Sequence, residues 1–213
     1  MTHSLQVLYL GSQDYINVSD AMRTYTEVRQ SNDPDKILLL EHTPTYTTGQ
    51  SYPMSCNHIG NIPVIPSDRG GKITYHGPGQ LIIYPLIDLR RQKLSPHQLI
   101  HILEQSVLDY VASFSLTASS DPNARGVYIQ GKKIASIGLR IKRFCSFHGI
   151  SINVESRCLE AFDVIETCGN PDLKVVSLDQ YVKDITTHTV MQNIIPTLIE
   201  RISELNRYTS IQD

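Results

Sequence analysis

The reactive potential of the chain is concentrated in three short segments. The first is Arg69-Gly70-Gly71-Lys72-Ile73-Thr74-Tyr75-His76-Gly77-Pro78-Gly79-Gln80. Two adjacent glycines let a ligand or a second backbone come close to the main chain, and their N–H groups can serve as donors. Arg69 adds a fixed cation at the entrance. On a strand, Thr74 and His76 share one face, and Ile73 and Tyr75 share the other. A plain glycine-rich hairpin carrying a packed or surface histidine fits the same residues, and glycine content does not choose between the two.

The second segment runs from Gly131 to Arg143. With a period of two, Lys133 heads the face that holds Ala135, Ile137, Leu139 and Ile141, while Lys132, Arg140 and Lys142 lie opposite. A lysine at the head of an apolar face needs a partner or a task. A lysine that lays its stem along apolar surface and keeps its ammonium in water fits equally well. The third segment, Ile165-Glu166-Thr167-Cys168-Gly169-Asn170-Pro171, places a cysteine in a turn. A nucleophilic thiol must be reachable and close to positive charge, and a turn satisfies the first condition. An idle loop thiol is the alternative, and Cys56, Cys145 and Cys158 read that way. No G-x-S-x-G or Ser-His-Asp pattern competes for the nucleophile's part.

These segments need a scaffold. Leu5 to Leu10 and the apolar run Lys36 to Glu41 predict strands, with an amphipathic helix over Tyr15 to Val28 between them whose buried face holds Ile16, Ala21, Tyr25 and Val28. A long polar loop, 42–63, follows and suits a functional loop or lid. Ile73 to His76 and Leu81 to Leu89 read as strands, the latter apolar enough to be buried on both faces. Ser95-Pro96 opens a helix reaching about Phe114, with serine as N-cap and proline in the first turn. Strands at 126–130, 133–141 and 148–154 come next, then a helix over 184–206 kinked at Pro196. The elements do not alternate as βαβ units. The expected class is α/β or α+β, with a mixed, mainly antiparallel sheet flanked by helices.

Composition narrows the function classes. The 213 residues are 40% hydrophobic and 19% charged, with a formal net charge of −2, which describes a globular chain without the field of a nucleic-acid or acidic-membrane binder. With no internal repeat or low-complexity linker, a single domain over residues 1–213 is expected. The N-terminus lacks the features of a signal peptide, and no apolar stretch has membrane-span length. The four cysteines show neither C-x-x-C nor paired Cys/His spacing, so neither a metal site nor a disulfide framework is expected, and reduced thiols in the cytoplasm are.

Together the segments resemble the lipoyl(octanoyl) transferase family. The pattern R-G-G-x-x-T-Y-H-x-x-G-Q-x-x-x-Y is complete from Arg69 to Tyr84. Glu41-His42-Thr43-Pro44 with Tyr46-Thr47-Thr48-Gly49 resembles the family's E-H-x-P-x-[FY]-T-x-G segment, with Thr43 where proline is usual. Gly131 to Ile134, Ser136 to Gly138, Ser146 to Gly149 and Thr167 to Gly169 match later blocks in order. The resemblance covers roughly Leu5 to Leu205. It implies the catalytic fold of biotin and lipoate protein ligases and a Cys168/Lys133 pair. It further implies acyl-binding positions at Arg69, Gly70, Gly71, Lys72, Ile73, Thr74, Tyr75, His76, Ser136, Ile137, Gly138, Gly149, Ile150 and Ser151. The implied donor is octanoyl-acyl carrier protein. The implied acceptors are lysines of lipoyl domains in 2-oxoacid dehydrogenase subunits and in the glycine cleavage H protein. No cofactor, nucleic acid or membrane is called for.

Such a reaction would exchange one thioester for another on Cys168 and then run downhill to an amide. Lys133 would stabilise the thiolate first and take a proton later. His76 would bond the thioester carbonyl or only orient its loop, and backbone N–H groups at Gly70, Gly71 or Gly169 are candidates for the oxyanion. The basic run of Lys132, Lys133, Arg140, Lys142 and Arg143 would be a solvated face or steer an acidic carrier. An ATP-dependent lipoate or biotin ligase, a non-catalytic binder of carrier or lipoyl domains, and a thioesterase are the competing readings.

Overall fold

Two fully apolar runs, Ile37 to Leu40 and Leu81 to Leu86, become adjacent strands inside the larger of two sheets. The computed structural model describes residues 4–51, 56–166 and 172–209. The larger sheet comprises β1 (Leu5–Gln13), β2 (Asp35–His42), β7 (Gln80–Leu86), β8 (Ala118–Ser120), β9 (Gly126–Ile129), β10 (Lys132–Lys142) and β11 (Cys145–Asn153), in the order β1-β2-β7-β11-β10-β9-β8. Only β1 and β2 run parallel. A smaller sheet holds β3 (Thr45–Thr48), β4 (His58–Ile59), β5 (Ile62–Pro66) and β6 (Ile73–His76) in the order β4-β5-β3-β6, with β3 and β5 parallel. The class is the expected mixed, mainly antiparallel α+β arrangement. The expected loop over 42–63 is different: its described residues contribute most of the smaller sheet. Thr45 to Thr48 are β-branched or aromatic and all four are buried, so a polar-looking stretch still pairs as a strand.

Alternation along β2 and β7 divides the core. Ile37, Leu39, Leu81 and Ile83 face helices α2 (Pro96–Ala112) and α3 (Thr187–Thr209, containing Pro196). Leu38, Leu40, Ile82, Tyr84 and Leu86 face α1 (Tyr15–Val28). Asp14 caps α1 by accepting from the Asn17 N–H at 3.0 Å. Ser95 and Gln98 form a reciprocal capping box on α2. The buried face of α1 is Tyr15, Val18, Ser19, Met22 and Thr26, not the expected one; Ile16 and Val28 are exposed. The stripe Tyr15-Val18-Met22 follows i, i+3, i+7 and seats the two largest side chains on the sheet.

A bulge interrupts β10. Lys133 pairs with Tyr128 and Ala135 with Val127, so Ile134 has no partner on β9. Ile134 and Ala135 therefore both join the helix-side core, with Ile137, Leu139 and Ile141 packed beside them. Lys133 is shifted to the other face.

The β2–β7 pair is anchored by a buried charge cluster. Asp35 Oδ1 accepts from Arg29 Nη2 at 2.9 Å, Arg91 Nη2 at 2.5 Å and the Asp88 N–H at 2.8 Å, while Oδ2 accepts from Gln92 Nε2 at 2.7 Å. Asp35→Ala leaves two buried guanidinium groups without their carboxylate and is expected to cost about 3–5 kcal/mol. A lowered urea midpoint at constant m-value is the check; a change under 1 kcal/mol would contradict this account. Among the described residues no helix is long and apolar enough to cross a membrane.

Candidate active site

The cavity on the α1 side of the larger sheet exists because side-chain volume is missing there. Ser136 pairs with Ser151 and Gly138 with Gly149 across β10 and β11, so two neighbouring strands present only small groups at facing positions. Ile82 and Tyr84 of β7 and Thr74 and His76 of β6 continue the wall, and the space holds about 550 Å³ including its open mouth. Neither glycine tolerates a side chain. A Cβ on Gly149 would lie 2.1 Å from the Ile83 carbonyl oxygen, and one on Gly138 would lie 2.9 Å from that of Gly70.

The second contact shows what roofs the trough. The Gly70 N–H donates to the Leu139 carbonyl at 3.1 Å, and the Gly49 N–H to that of Lys72 at 3.2 Å, so the glycine loop is clamped between β10 and the end of β3. Arg69 performs the clamping. Its guanidinium is buried and donates to the Thr47 carbonyl and the Lys72 carbonyl, each at 2.7 Å, and to the Gly70 carbonyl at 2.9 Å. The expected fixed cation borders the cavity, and its donors are spent on stapling the glycine loop. The Gly70 N–H is likewise committed and does not supply an oxyanion donor.

Lys133 projects into the cavity with 1% of its surface exposed. Its Nζ donates to the carbonyls of Arg125 at 2.9 Å and Ala124 at 3.2 Å. Gly126 makes room for it: at φ +147°, a Cβ would sit 2.7 Å from Lys133 Cε and 2.2 Å from the Ala135 carbonyl oxygen. Period two predicted that Lys133 would turn inward, and it does, but through the Ile134 bulge and onto the face of Ser136 and Gly138. Lys132 is half-buried at the strand end. Arg140 donates to Gln50 at 3.0 Å and Lys142 to Glu27 at 2.5 Å, so part of the basic run is engaged on the protein's own surface.

Three histidines surround the far wall, and burial first of all pushes each below its ordinary range, His42 to about 4. His42 donates from Nδ1 to the Gln13 carbonyl at 3.1 Å and meets the Tyr84 hydroxyl through Nε2 at 2.9 Å. His76 Nδ1 lies 2.7 Å from Gln80 Oε1. His148 Nε2 lies 2.8 Å from Asp68 Oδ1, while its Nδ1, like Thr74 Oγ1, is buried without a hydrogen-bond partner. Tyr15 stacks on His76 and on His148 at centroid distances of 6.0 and 6.4 Å. Because His42 binds a proton in the unfolded chain below about 6.5 and in the folded one only near 4, stability is whole above pH 6.5 and falls as pH drops towards 4. The loss from His42 alone is expected to reach about 3 kcal/mol. Urea titrations between pH 7.5 and 4.5 should show this slope, and a His42→Asn variant should flatten it.

Of the positions singled out from sequence, Arg69, Gly71, Lys72, Ile73, Thr74, His76, Lys133, Ser136, Ile137, Gly138, Gly149, Ile150 and Ser151 line one cavity. Gly70 sits behind its roof. Tyr75 faces away and packs against Tyr46 and Phe162, as strand alternation predicts. Cys168 lies outside the described residues. Ile82, Tyr84, Arg125 and His148 also line the cavity and were not singled out. Tyr84 and His148 did leave a signal, since both fall inside the motif blocks. Glu41 has a supporting part: its carboxylate accepts from the Gly79 N–H at 2.9 Å and from the Thr187 hydroxyl, fixing the turn after β6 to the start of α3.

This fold, with a trough on its larger sheet, is that of the lipoate and biotin protein ligase catalytic domains. Lipoate-protein ligase A bound with ATP superimposes with a TM-score of 0.69 at 13% identity, over 98% of this chain and 94% of that one. A putative lipoate protein ligase from T. acidophilum with bound lipoic acid gives 0.68 at 13% identity, over 96% and 94%. The chain belongs to the lipoyl protein ligase A/B catalytic domain family, whose model matches residues 16–199. Octanoyltransferase of Shewanella halifaxensis is 40% identical over 203 residues, 94% of this chain and 91% of that protein. That of Alkalilimnicola ehrlichii is 45% identical over 177 residues, 82% and 81% of the two. Within the family the chain is thus an acyltransferase of the lipoyl(octanoyl) transferase kind.

Proposed function

We propose that this enzyme moves an octanoyl group from octanoyl-acyl carrier protein, through a thioester on Cys168, to the lysine of lipoyl domains of 2-oxoacid dehydrogenases and of the glycine cleavage H protein. It would do so in the cytoplasm and without a cofactor. The observation that carries this reading is a short ladder at Lys133. The Lys133 N–H donates to the Lys174 carbonyl and the Val176 N–H to the Lys133 carbonyl, both at 2.9 Å. Six Cα-to-Cα steps join Cys168 to Lys174, and at about 3.5 Å each they span no more than about 21 Å. Chain connectivity therefore sets an upper bound on the distance between Cys168 and Lys133, and this supports pairing them.

In the first half-reaction the Cys168 thiolate attacks the carrier thioester, and the carrier's thiol leaves with a proton. In the second, the lysine amine attacks the Cys168 thioester, the C–S bond breaks, a proton leaves the nitrogen and the amide forms. Lys133 serves both halves. As an ammonium it stabilises the thiolate, worth up to ~4 kcal/mol at about 4 Å and an effective dielectric of about 20. As an amine it takes a proton. Two carbonyls, those of Ala124 and Arg125, hold Nζ in either state, because ammonium and amine both have at least two N–H bonds.

The test is intact-mass measurement after mixing with octanoyl-acyl carrier protein, then with a lipoyl domain. An octanoyl adduct on the peptide containing Cys168, discharged by the lipoyl domain, is expected. No adduct, together with ATP–pyrophosphate exchange driven by free octanoate, would overturn the reading in favour of a ligase. Gly126→Ala should push Lys133 aside and lower single-turnover transfer at least about tenfold, with an overpacking cost of about 1–3 kcal/mol. Gly131→Ala is the control: it is also at positive φ, +75°, but a Cβ there meets nothing within 4 Å. It should lose about 1–2 kcal/mol of stability and keep its transfer rate.

A further inference from the structure

Strand β6 is used on both of its faces. Thr74 and His76 line the cavity, while Tyr75 is turned the other way. There it meets Tyr46, its direct partner across the β3–β6 pair, with ring centroids 5.4 Å apart. Gly77 leaves the room for this, since a Cβ there would collide with the Tyr75 hydroxyl. Both tyrosines are buried. The pair is a fixed platform on the face of the smaller sheet that the acyl trough does not use.

The segment that leads to Cys168 sits on this platform. The Tyr46 hydroxyl donates to the Ala161 carbonyl at 2.8 Å, and the Phe162 ring stands edge-on to Tyr75 at 5.8 Å. Ala161 and Phe162 belong to a turn of 3-10 helix, Glu160–Phe162, and the Ile165 N–H donates to the Phe162 carbonyl at 3.2 Å. Ile165 packs against the same apolar cluster as the two tyrosines, and so does Val175 from beyond the cysteine. Val175 in turn forms a parallel β-bridge with Lys133. One cluster therefore holds both ends of the stretch that carries Cys168, and the later end is attached directly to Lys133.

The two anchors are not equivalent. Cys168 lies seven residues before Val175 but only three after Ile165. At about 3.5 Å per residue, the first tether places its Cα within about 25 Å of Val175 and the second within about 10 Å of Ile165. Ile165, and through it the Tyr46–Tyr75 platform, sets the tighter limit.

We propose that Tyr46 and Tyr75 are positioning residues for the nucleophile: by seating Phe162 and Ile165 they fix the distance between the Cys168 thiolate and the Lys133 ammonium. The inference rests on the Cys168–Lys133 pairing proposed above. It gives Tyr75 a part in the reaction without contact to the acyl group, and it makes β6 serve the trough on one face and the cysteine segment on the other.

The test is a double-mutant cycle read on the thiol itself. Iodoacetamide alkylation of Cys168 at pH 7 is followed by peptide mass in the unaltered protein, in Lys133→Ala, Tyr46→Phe and Tyr75→Leu, and in the two combinations with Lys133→Ala. Lys133→Ala should slow alkylation. That loss should shrink at least about threefold once Tyr46→Phe or Tyr75→Leu is present, because a displaced thiolate has less attraction to lose. Both tyrosine variants should also slow acyl-enzyme formation from octanoyl carrier protein at least about tenfold, the scale on which small misplacements of a reacting group act. Tyr75→Phe, which keeps the ring, should recover most of that loss. Additive effects in the cycle, or a lowered thermal midpoint with Cys168 chemistry unchanged, would make the platform ordinary core and overturn the proposal. Tyr46→Phe removes a single hydroxyl and decides the matter alone should Tyr75→Leu not fold. No effect of Lys133→Ala on alkylation of the otherwise unaltered chain would overturn the pairing itself and the positioning role with it, whereas an effect that is present but additive overturns the positioning role alone.

Discussion

Replacing Lys133 by alanine is expected to lower single-turnover octanoyl transfer at least ~100-fold, the low end of general acid–base contributions. The side chain is 1% exposed and points into the cavity, and no neighbouring cation along β10 can take its place. The same variant should raise the pH at which Cys168 reacts with iodoacetamide, because the thiolate loses its cation. Lys133→Arg should recover part of that reactivity but not the transfer, since a guanidinium does not give up its proton near neutral pH. Lys132→Ala, altering a half-buried residue at the strand end, should change carrier affinity mainly at low salt. Alkylation rates against pH and single-turnover transfer, measured on all three variants, distinguish these roles. A large chemical defect in Lys132→Ala with only a salt-dependent one in Lys133→Ala would show that the two have been exchanged.

Loss of the Cys168 thiol should be more severe. Cys168→Ala is expected to abolish the octanoyl adduct, and Cys168→Ser to leave at most a trace. Variants at Cys56, Cys145 and Cys158 should form the adduct and transfer it nearly as well as the unaltered chain. The environments of two of these thiols argue for that. Burial pushes Cys158 up to about 12 and Cys145 above its ordinary value, so neither supplies a thiolate near neutral pH. An adduct that persists in Cys168→Ala, mapped to any other side chain, would sink the two-step mechanism.

Most of the scaffold was readable from periodicity and end signals. Helix α1 begins and ends at the expected residues, α2 opens at the Ser95-Pro96 cap, and β6 falls where the pattern places it, while β7 ends at Leu86 and not at the expected Leu89. Three matters were not. The buried stripe of α1 was misassigned because Tyr15, Ser19 and Thr26 are polar by composition yet bury their surfaces. The smaller sheet was hidden in a Thr- and Ser-rich stretch whose strands are two to five residues long, too short for alternation to register. The face of Lys133 was inverted because a bulge is a property of the pairing between two strands and cannot be seen in one. The cavity was legible as separate residues but not as a space: only the cross-strand facing of Ser136 with Ser151 and Gly138 with Gly149 turns four small side chains into a trough. Tyr84 and His148 are held in the cavity wall by partners at His42 and Asp68, far away along the chain.

The unpaired residue in β10 also sets how the gene can change length. Ile134 acts as a one-residue phase switch between Lys133 and the small-residue stretch that begins at Ser136. Were the pairing regular at the same length, Lys133 would fall in step with Ala135 and turn towards the helices, leaving the cavity without its amine; deleting Ile134 instead makes Lys133 and Ala135 consecutive, and the lysine keeps its face. A single-codon deletion there should therefore lower stability through the lost core side chain, while the folded fraction keeps its amine in the cavity. The hairpin turn between β10 and β11 lies beyond the switch and makes no comparable demand, so length variation among descendants of this chain should collect at that turn and avoid Ile134.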